Sequence, residues 1–327
     1  MSHLTSPLVD LHAPIRGDLT ISKRIFDEEL ASELPCVNRL CDQVRPYRGK
    51  MLRPILLLLS GKSVGELSDA HHTLAAVVEM VHVATLVHDD VLDQADRRRR
   101  QPTVCATAGN VGAVLLGDYL ISHAFHLCSG LNSQHAARCI GATTNTVCEG
   151  ELLQNRFCGN DRLSELEYFD IIRRKTGALT ATCCELGAHY AGADQPLVQA
   201  MRAYGMSVGV AFQIIDDVLD IAGDRRQVGK TLGLDLTLGK VTLPTLHCLM
   251  SASGATASAL RAAVAGNGTC NREHVREWLA ETGSIDYAVS IASDYVHDAL
   301  RQLESVPAGD ARQSLAALAE FIVERRY

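Results

Sequence analysis

Aromatic residues make up only 5 per cent of this 327-residue chain, with one tryptophan, and there are nine prolines. Few stretches alternate apolar and polar residues as a half-buried strand would, which argues against a sandwich or barrel. Positive charge is not in excess: the net charge is −7 and the pI is near 6.0. Nucleic-acid binders carry a basic excess over a whole face, so that class is set aside. No cysteine pair has CxxC spacing, no Cys/His cluster has zinc spacing, and of eleven cysteines only Cys183 and Cys184 are adjacent. Reduced core thiols in a cytoplasmic protein are the expectation. The N-terminal MSHLTSPLVDLHAPIRGD is polar and interrupted by Asp10 and Pro14, unlike a secretory signal. ILLLL at 55–59 falls far short of the roughly 20 apolar residues a bilayer span needs. No transmembrane segment is expected; loose association with a membrane surface stays open.

Apolar residues, at 47 per cent, are enough for a large core. They recur at helical spacing over 71–93, 111–129, 134–158, 163–191, 197–222, 240–251, 273–281, 286–304 and 310–325. HTLAAVVEMVHVATLVHDD is apolar nearly all round, as a central helix is. No linker of disordered composition divides the chain. These features predict one all-α domain over 1–327 with about ten or more helices, and residues 1–20 as a flexible N-terminal arm.

The pentapeptide DDVLD occurs at 89–93 and again at 216–220. On a helix Asp89 and Asp93 share a face, as do Asp216 and Asp220, with Asp90 and Asp217 about 100° around. Three close carboxylates repel one another unless a hard cation relieves them, and Mg²⁺ prefers a few carboxylates completed by water and substrate phosphates. Cations lie beside both copies: Lys50 and Arg53 in GKMLRP, RRRRQPT at 97–103, Lys175 in RRKTG, and Lys230 and Lys240 in GKTLGLDLTLGK. Arginine forks match phosphate oxygens and lysines supply mobile charge, so a diphosphate held between metal and cations is the expectation. GDRRQVGKT is not a Walker A loop: five residues, not four, separate Gly223 from the Gly229-Lys230 pair, and a helix-like segment precedes it.

The set GKMLRP, HDDVLDQADRRRRQPT, GDYL, EGELLQ, KTGALTA, GVAFQIIDDVLD, GKTLGLDL and GKVTLP, in this order over roughly residues 49–247, resembles the trans-isoprenyl diphosphate (polyprenyl) synthases. The resemblance implies an all-helical bundle around a deep central cavity, usually a homodimer. It also implies an enzyme that joins an allylic prenyl diphosphate to isopentenyl diphosphate with release of pyrophosphate. Asp89 and Asp93, with Asp90 nearby, would bind Mg²⁺. Asp216, supported by Asp217 and Asp220, would bind a further Mg²⁺, and both pentads would face one pyrophosphate group. Arg98, Lys175, Lys230 and Lys240 would grip the allylic diphosphate. Lys50, Arg53, His82 and Arg99 would hold isopentenyl diphosphate, closed over by Arg325 or Arg326. Thr176 and Gln213 would turn oxygens toward the allylic cation, and Gln154 would support the metal shell. Where the family usually reads Arg-Arg-Gly this chain has Arg100 at the glycine position and an extra Arg97, and Met51 stands where a basic residue is common.

Short-chain members often place an aromatic ring one turn before the first pentad. Here Ala84 and Thr85 lie about 6–7.5 Å below Asp89, and Val81 about 12 Å below. A long-chain product is expected, with Tyr119, Phe125 and Phe157 as bulky residues that would otherwise close the tunnel. The alternatives are a short-chain farnesyl or geranylgeranyl diphosphate synthase, the catalytic subunit of a heteromeric synthase, a non-catalytic partner subunit, and a terpene cyclase. The last two do not normally keep both pentads together with GKxxRP.

Overall fold

Several helices begin after a Ser or Thr cap, among them those that follow Ser68, Thr103, Ser164, Thr242 and Ser253. The computed structural model describes residues 11–99, 101–223, 233–266 and 272–324. The helices are α1 (Arg16–Glu29), α2 (Pro35–Val44), α3 (Leu52–Val64), α4 (Asp69–Leu92), α5 (Val104–Ser129), α6 (His135–Arg156), α7 (Glu165–Ile172), α8 (Ala178–Tyr190) and α9 (Gln195–Ala222). Six more follow: α10 (Leu234–Thr237), α11 (Leu243–Ser251), α12 (Gly254–Val264), α13 (Arg272–Glu281), α14 (Ser284–Gln302) and α15 (Asp310–Glu324). Among the described residues the one sheet is a two-residue antiparallel ribbon, β1 (Arg97–Arg98) with β2 (Gln101–Pro102). At the start of α7, Ser164 accepts from the Glu167 amide while Glu167 accepts from the Ser164 amide at 2.8 Å. That reciprocal pair is what SELE predicts.

The chain divides into two compact units. The first runs to Thr144 and adds Leu179–Gly205 and Gln302–Leu318; the second holds Asn145–Ala178, Met206–Arg301 and the segment from Ala319. In the first unit α4 is the core helix, with Leu74 to Val78, Met80, Val81, Val83, Ala84 and Val87 all at 0 per cent exposure. It packs on α1, α3 and α5. Leu56 to Leu59 of α3 are equally buried. Close approach of α8 to α3 requires a residue without a side chain: a Cβ added at Gly187 would lie 2.2 Å from the Leu57 carbonyl oxygen. His71 Nε2 also meets the Gly187 carbonyl at 3.1 Å.

Several expectations need correction. Residues 13–20 are not an arm, because a short 3₁₀ turn and α1 begin there and bury Ile15 and Leu19. Helices α1, α2, α3, α10 and α12 escaped the periodicity reading; α3 is too uniformly apolar to show a period, and the others are short or polar. The segment 163–191 is two helices separated by a single π turn, Arg173–Gly177. The ten described cysteines are unbridged, yet Cys36, Cys148 and Cys158 are exposed rather than in the core. By length and composition α4 and α5 are apolar enough to cross a bilayer, although the α4 window is 72 per cent buried inside the protein and the α5 window 28 per cent.

Gly187→Ala is expected to lower the unfolding free energy by about 1–3 kcal/mol, as forced overpacking does. Gly17→Ala, with nothing within 4 Å of its added Cβ, should be neutral or stabilising by up to about 1 kcal/mol. Equal denaturation midpoints for Gly187→Ala and the native chain would show that the two helices are not seated this closely.

Candidate active site

In the first unit the three aspartates of the first pentad separate by burial. Asp90 is 1 per cent exposed, while Asp89 and Asp93 are half-buried. The Tyr47 hydroxyl donates to Asp90 Oδ2 at 2.6 Å, and Arg98 donates to Oδ1 through Nε at 2.9 Å and Nη2 at 2.8 Å. Burial, then Asp90 itself, pushes the Tyr47 phenol up, so it stays protonated and donates. Tyr47 also accepts from the Val104 amide at 3.2 Å. Asp90 therefore ties together the 3₁₀ turn Arg45–Arg48, α4 and β1. Asp90, expected beside the metal ligands, has its oxygens engaged by Tyr47 and Arg98. Arg98, expected on the diphosphate, has two of its nitrogens oriented by Asp90.

The sequence GKMLRP bends through two left-handed positions, Gly49 (φ 50°) and Met51 (φ 54°). The Arg99 guanidinium fills the space over Gly49, where an added Cβ would lie 2.2 Å from Nη1, and Nη1 donates to the Tyr47 carbonyl at 2.8 Å. Lys50 is exposed, and Arg53 lies in the first turn of α3. Burial, then Arg53, Arg99 and Arg98, holds the His82 imidazole well below its ordinary range, so it is neutral at pH 7. Arg53, Arg98 and Arg99 are thus brought close enough to act on His82.

Beneath them lies a group the sequence reading missed. Glu79, one helical turn before His82, is 0 per cent exposed, and neither carboxyl oxygen has a hydrogen-bond partner. Burial pushes it up to about 7 against the opposing pull of Arg53, Arg48, Arg99 and Lys23. A lone acid inside VVEMV was the available signal.

In the second unit the π turn carries Lys175 and Thr176, and π insertions are frequent at functional sites. Lys175 Nζ donates to Gln154 Oε1 at 2.8 Å and is ion-paired with Glu151. Thr176 Oγ1 donates to Gln213 Oε1 at 2.8 Å, and Gln213 Nε2 donates to Asp217 Oδ1 at 2.8 Å. The Tyr168 hydroxyl donates to Asp217 Oδ2 at 2.7 Å. Asp217 is 4 per cent exposed, and burial, then Asp235, pushes its carboxyl up. Like Asp90, it is the buried anchor of its pentad. Asp216 and Asp220 are half-buried. Asp220 Oδ2 accepts from the Asp235 amide at 3.3 Å, and the Lys240 amide donates to the Asp235 carbonyl at 2.8 Å. Of the residues expected at the site, Lys230, Arg100, Arg325 and Arg326 lie outside the described residues. Sequence reasoning missed Tyr47, Tyr168 and Glu151, for which nothing short of the fold is a signal.

Of the floor residues, Val81 and Ala84 are fully buried in α4, and Thr85 donates to the His82 carbonyl at 2.8 Å. Phe125 is 37 per cent exposed.

The outer pairs, Asp89 with Asp93 and Asp216 with Asp220, offer oxygen donors only, which suits a hard divalent cation such as Mg²⁺. An all-α fold with two such pairs and a cation cluster defines a class of proteins that handle phosphorylated ligands through metal. Residues 35–282 match the family described as Polyprenyl synthetase, and the chain belongs to that family. It is 34 per cent identical over 299 residues to octaprenyl diphosphate synthase of Escherichia coli (strain K12), covering 91 per cent of this chain and 93 per cent of that protein. It is 33 per cent identical over 313 residues to heptaprenyl diphosphate synthase component 2 of Bacillus subtilis (strain 168), covering 96 and 89 per cent. A crystal structure of polyprenyl synthase from Caulobacter crescentus CB15, complexed with calcium and isoprenyl diphosphate, superposes with TM-score 0.94 at 33 per cent identity, covering 98 per cent of each chain.

Glu79 has a folded pKa of about 7 against an ordinary 4.5. The folded state therefore holds the proton more tightly, and stability is lost as pH rises from about 4.5 through about 7, by an amount on the order of 3 kcal/mol. Glu79→Gln removes that loss. Thermal melts of both proteins between about pH 5 and about pH 8 should show the variant gaining on the native chain as pH rises. Parallel curves would sink this assignment.

Proposed function

We propose that the protein is a prenyltransferase that condenses an allylic prenyl diphosphate with isopentenyl diphosphate (1'-4, trans) to give a long-chain all-trans polyprenyl diphosphate and pyrophosphate. The observation that carries this reading is the repeated construction of the pentads: in each, one buried aspartate anchors on a tyrosine and the outer pair is left partly exposed. Asp89, Asp93, Asp216 and Asp220 are the residues that hold Mg²⁺, which when bound neutralises charge on the diphosphate leaving group. Lys175 and Lys240 in the second unit, and Arg98 in the first, are cations that match diphosphate oxygens, and Lys50, Arg53 and Arg99 of the first unit hold isopentenyl diphosphate beside a neutral His82.

The allylic carbon–oxygen bond breaks heterolytically, so negative charge grows on the diphosphate and positive charge on carbon. Fixed cations favour the first without reorganising. Thr176 donates its hydroxyl hydrogen bond to Gln213, so its oxygen lone pairs are directed away from that bond and can face the cation. The double bond of isopentenyl diphosphate then attacks, a carbon–carbon bond forms, and a proton passes to the departing pyrophosphate.

Long-chain specificity rests on the small Ala84 and Thr85 below Asp89 and on the resemblance to octaprenyl and heptaprenyl synthases. We place the enzyme in the cytoplasm, on its cysteine content. A homodimer is the partner reading: Val111, Val114 and Leu115 of α5 are exposed at 74, 42 and 61 per cent, and a second copy of this chain would cover them. Leu115→Lys should shift the mass measured by light scattering from dimer to monomer; a native monomer would overturn it.

The test of function is incubation of the pure protein with farnesyl and isopentenyl diphosphates and Mg²⁺, followed by chromatography of the dephosphorylated products. Elongated polyprenols are expected, shortened when Ala84→Phe is used. A cyclic hydrocarbon, or no product without a second protein, would replace this reading by a cyclase or a heteromeric component. Unchanged chain length in Ala84→Phe would remove this position from the floor.

A further inference from the structure

We propose that His135, Cys139 and Glu185, in the first unit, form a binding site for a thiophilic divalent cation such as zinc, apart from the acidic pentads. His135 and Cys139 are four apart on α6, one turn and one face. Glu185 comes from α8, which is why no cysteine spacing in the sequence announced the set. One ligating atom from each residue lies within 4.8 Å of the others. Cys139 Sγ is 3.5 Å from His135 Nε2 and 3.8 Å from Glu185 Oε1. Tetrahedral zinc with bonds of about 2.0–2.3 Å has sulfur-to-nitrogen and sulfur-to-oxygen edges of about 3.6 Å, so these two edges are already in place.

The surroundings complete a ligand set rather than a chance meeting of polar groups. Arg202 pairs with Glu185 Oε2, which fixes the carboxylate and leaves Oε1 turned toward the sulfur. Orienting partners of this kind are what hold metal ligands in register. The His189 ring, one turn beyond Glu185, lies against His135 with centroids 3.9 Å apart and limits its rotation. Glu185 is buried, while His135 and Cys139 are half-buried, so an ion can enter. Burial, with Glu185 beside it, pushes the Cys139 thiol up to about 11, so the metal-free thiol keeps its proton. Binding releases that proton, and the thiolate and carboxylate charges then balance a divalent ion. Three protein ligands leave a fourth position open to water. The bond between the helices would be a staple of α6 to α8, and none of its three residues is among those assigned to the reaction.

Cobalt is the probe, because a thiolate–cobalt bond absorbs in the near ultraviolet and cobalt bound only by oxygen does not. The chelator-treated full-length protein is titrated with Co²⁺ in excess Mg²⁺, which occupies the carboxylate pairs. A thiolate-to-cobalt band saturating at one ion per chain is expected, displaced by Zn²⁺. Cys139→Ser and His135→Ala should each abolish or weaken it at least about tenfold, the range seen when metal-site residues are lost. Melting curves without metal check that the variants fold, and any variant that does not is replaced by Glu185→Gln, which should weaken the band likewise. No charge-transfer band, or a band undiminished in Cys139→Ser, overturns the site.

Discussion

A carboxylate taken out of water holds its place only where donors replace the water it has lost. Asp90 and Asp217 meet that condition in the same way, each receiving a tyrosine hydroxyl, from Tyr47 at 2.6 Å and Tyr168 at 2.7 Å. Because the middle aspartate of each pentad is fixed, the two outer ones on either side of it are fixed in register by the helix. The second carboxylate of DDVLD is thus an anchor for the other two. Removal of the tyrosine would leave a buried acceptor without a partner, which is more damaging than loss of an exposed bond.

The same anchors organise the cations. Arg98 is oriented by Asp90, Arg99 by the Tyr47 carbonyl and the bare backbone at Gly49, and both act on His82. A cluster of guanidinium groups would repel itself, and Glu79, buried among them, supplies the opposing charge at a pKa near neutrality. In the second unit the equivalent order is carried by a chain of side chains, Thr176 to Gln213 to Asp217, begun by a π turn that displaces Lys175 and Thr176 from the regular helix register. Both arrangements hold polar groups in place before substrate arrives, which is the condition for electrostatic catalysis without reorganisation.

The all-α class and the positions of the long helices were legible because apolar residues at helical spacing leave few alternatives. The short and the uniformly apolar helices were not, since they lack a period. At the site, motif order picked out the stretches that carry the aspartates, Arg53, His82, Arg99, Lys175, Thr176 and Gln213. Which aspartate of each pentad is buried was not legible, because three adjacent acids look alike in a string and only burial separates them. Tyr47 and Tyr168 stand 43 and 49 positions from the carboxylates they hold, and the Glu185 that completes a candidate zinc set lies 46 from Cys139.

Periodicity and the repeated DDVLD by themselves determined a helical protein with two hard-cation carboxylate pairs among phosphate-matching cations, because those features are local and helix geometry fixes which side chains share a face. Only the tertiary structure decided which carboxylate of each pentad is buried, which cations meet Glu79, and that His135, Cys139 and Glu185 come together. Those are questions of which distant segments displace water from one another, and no local spacing encodes them.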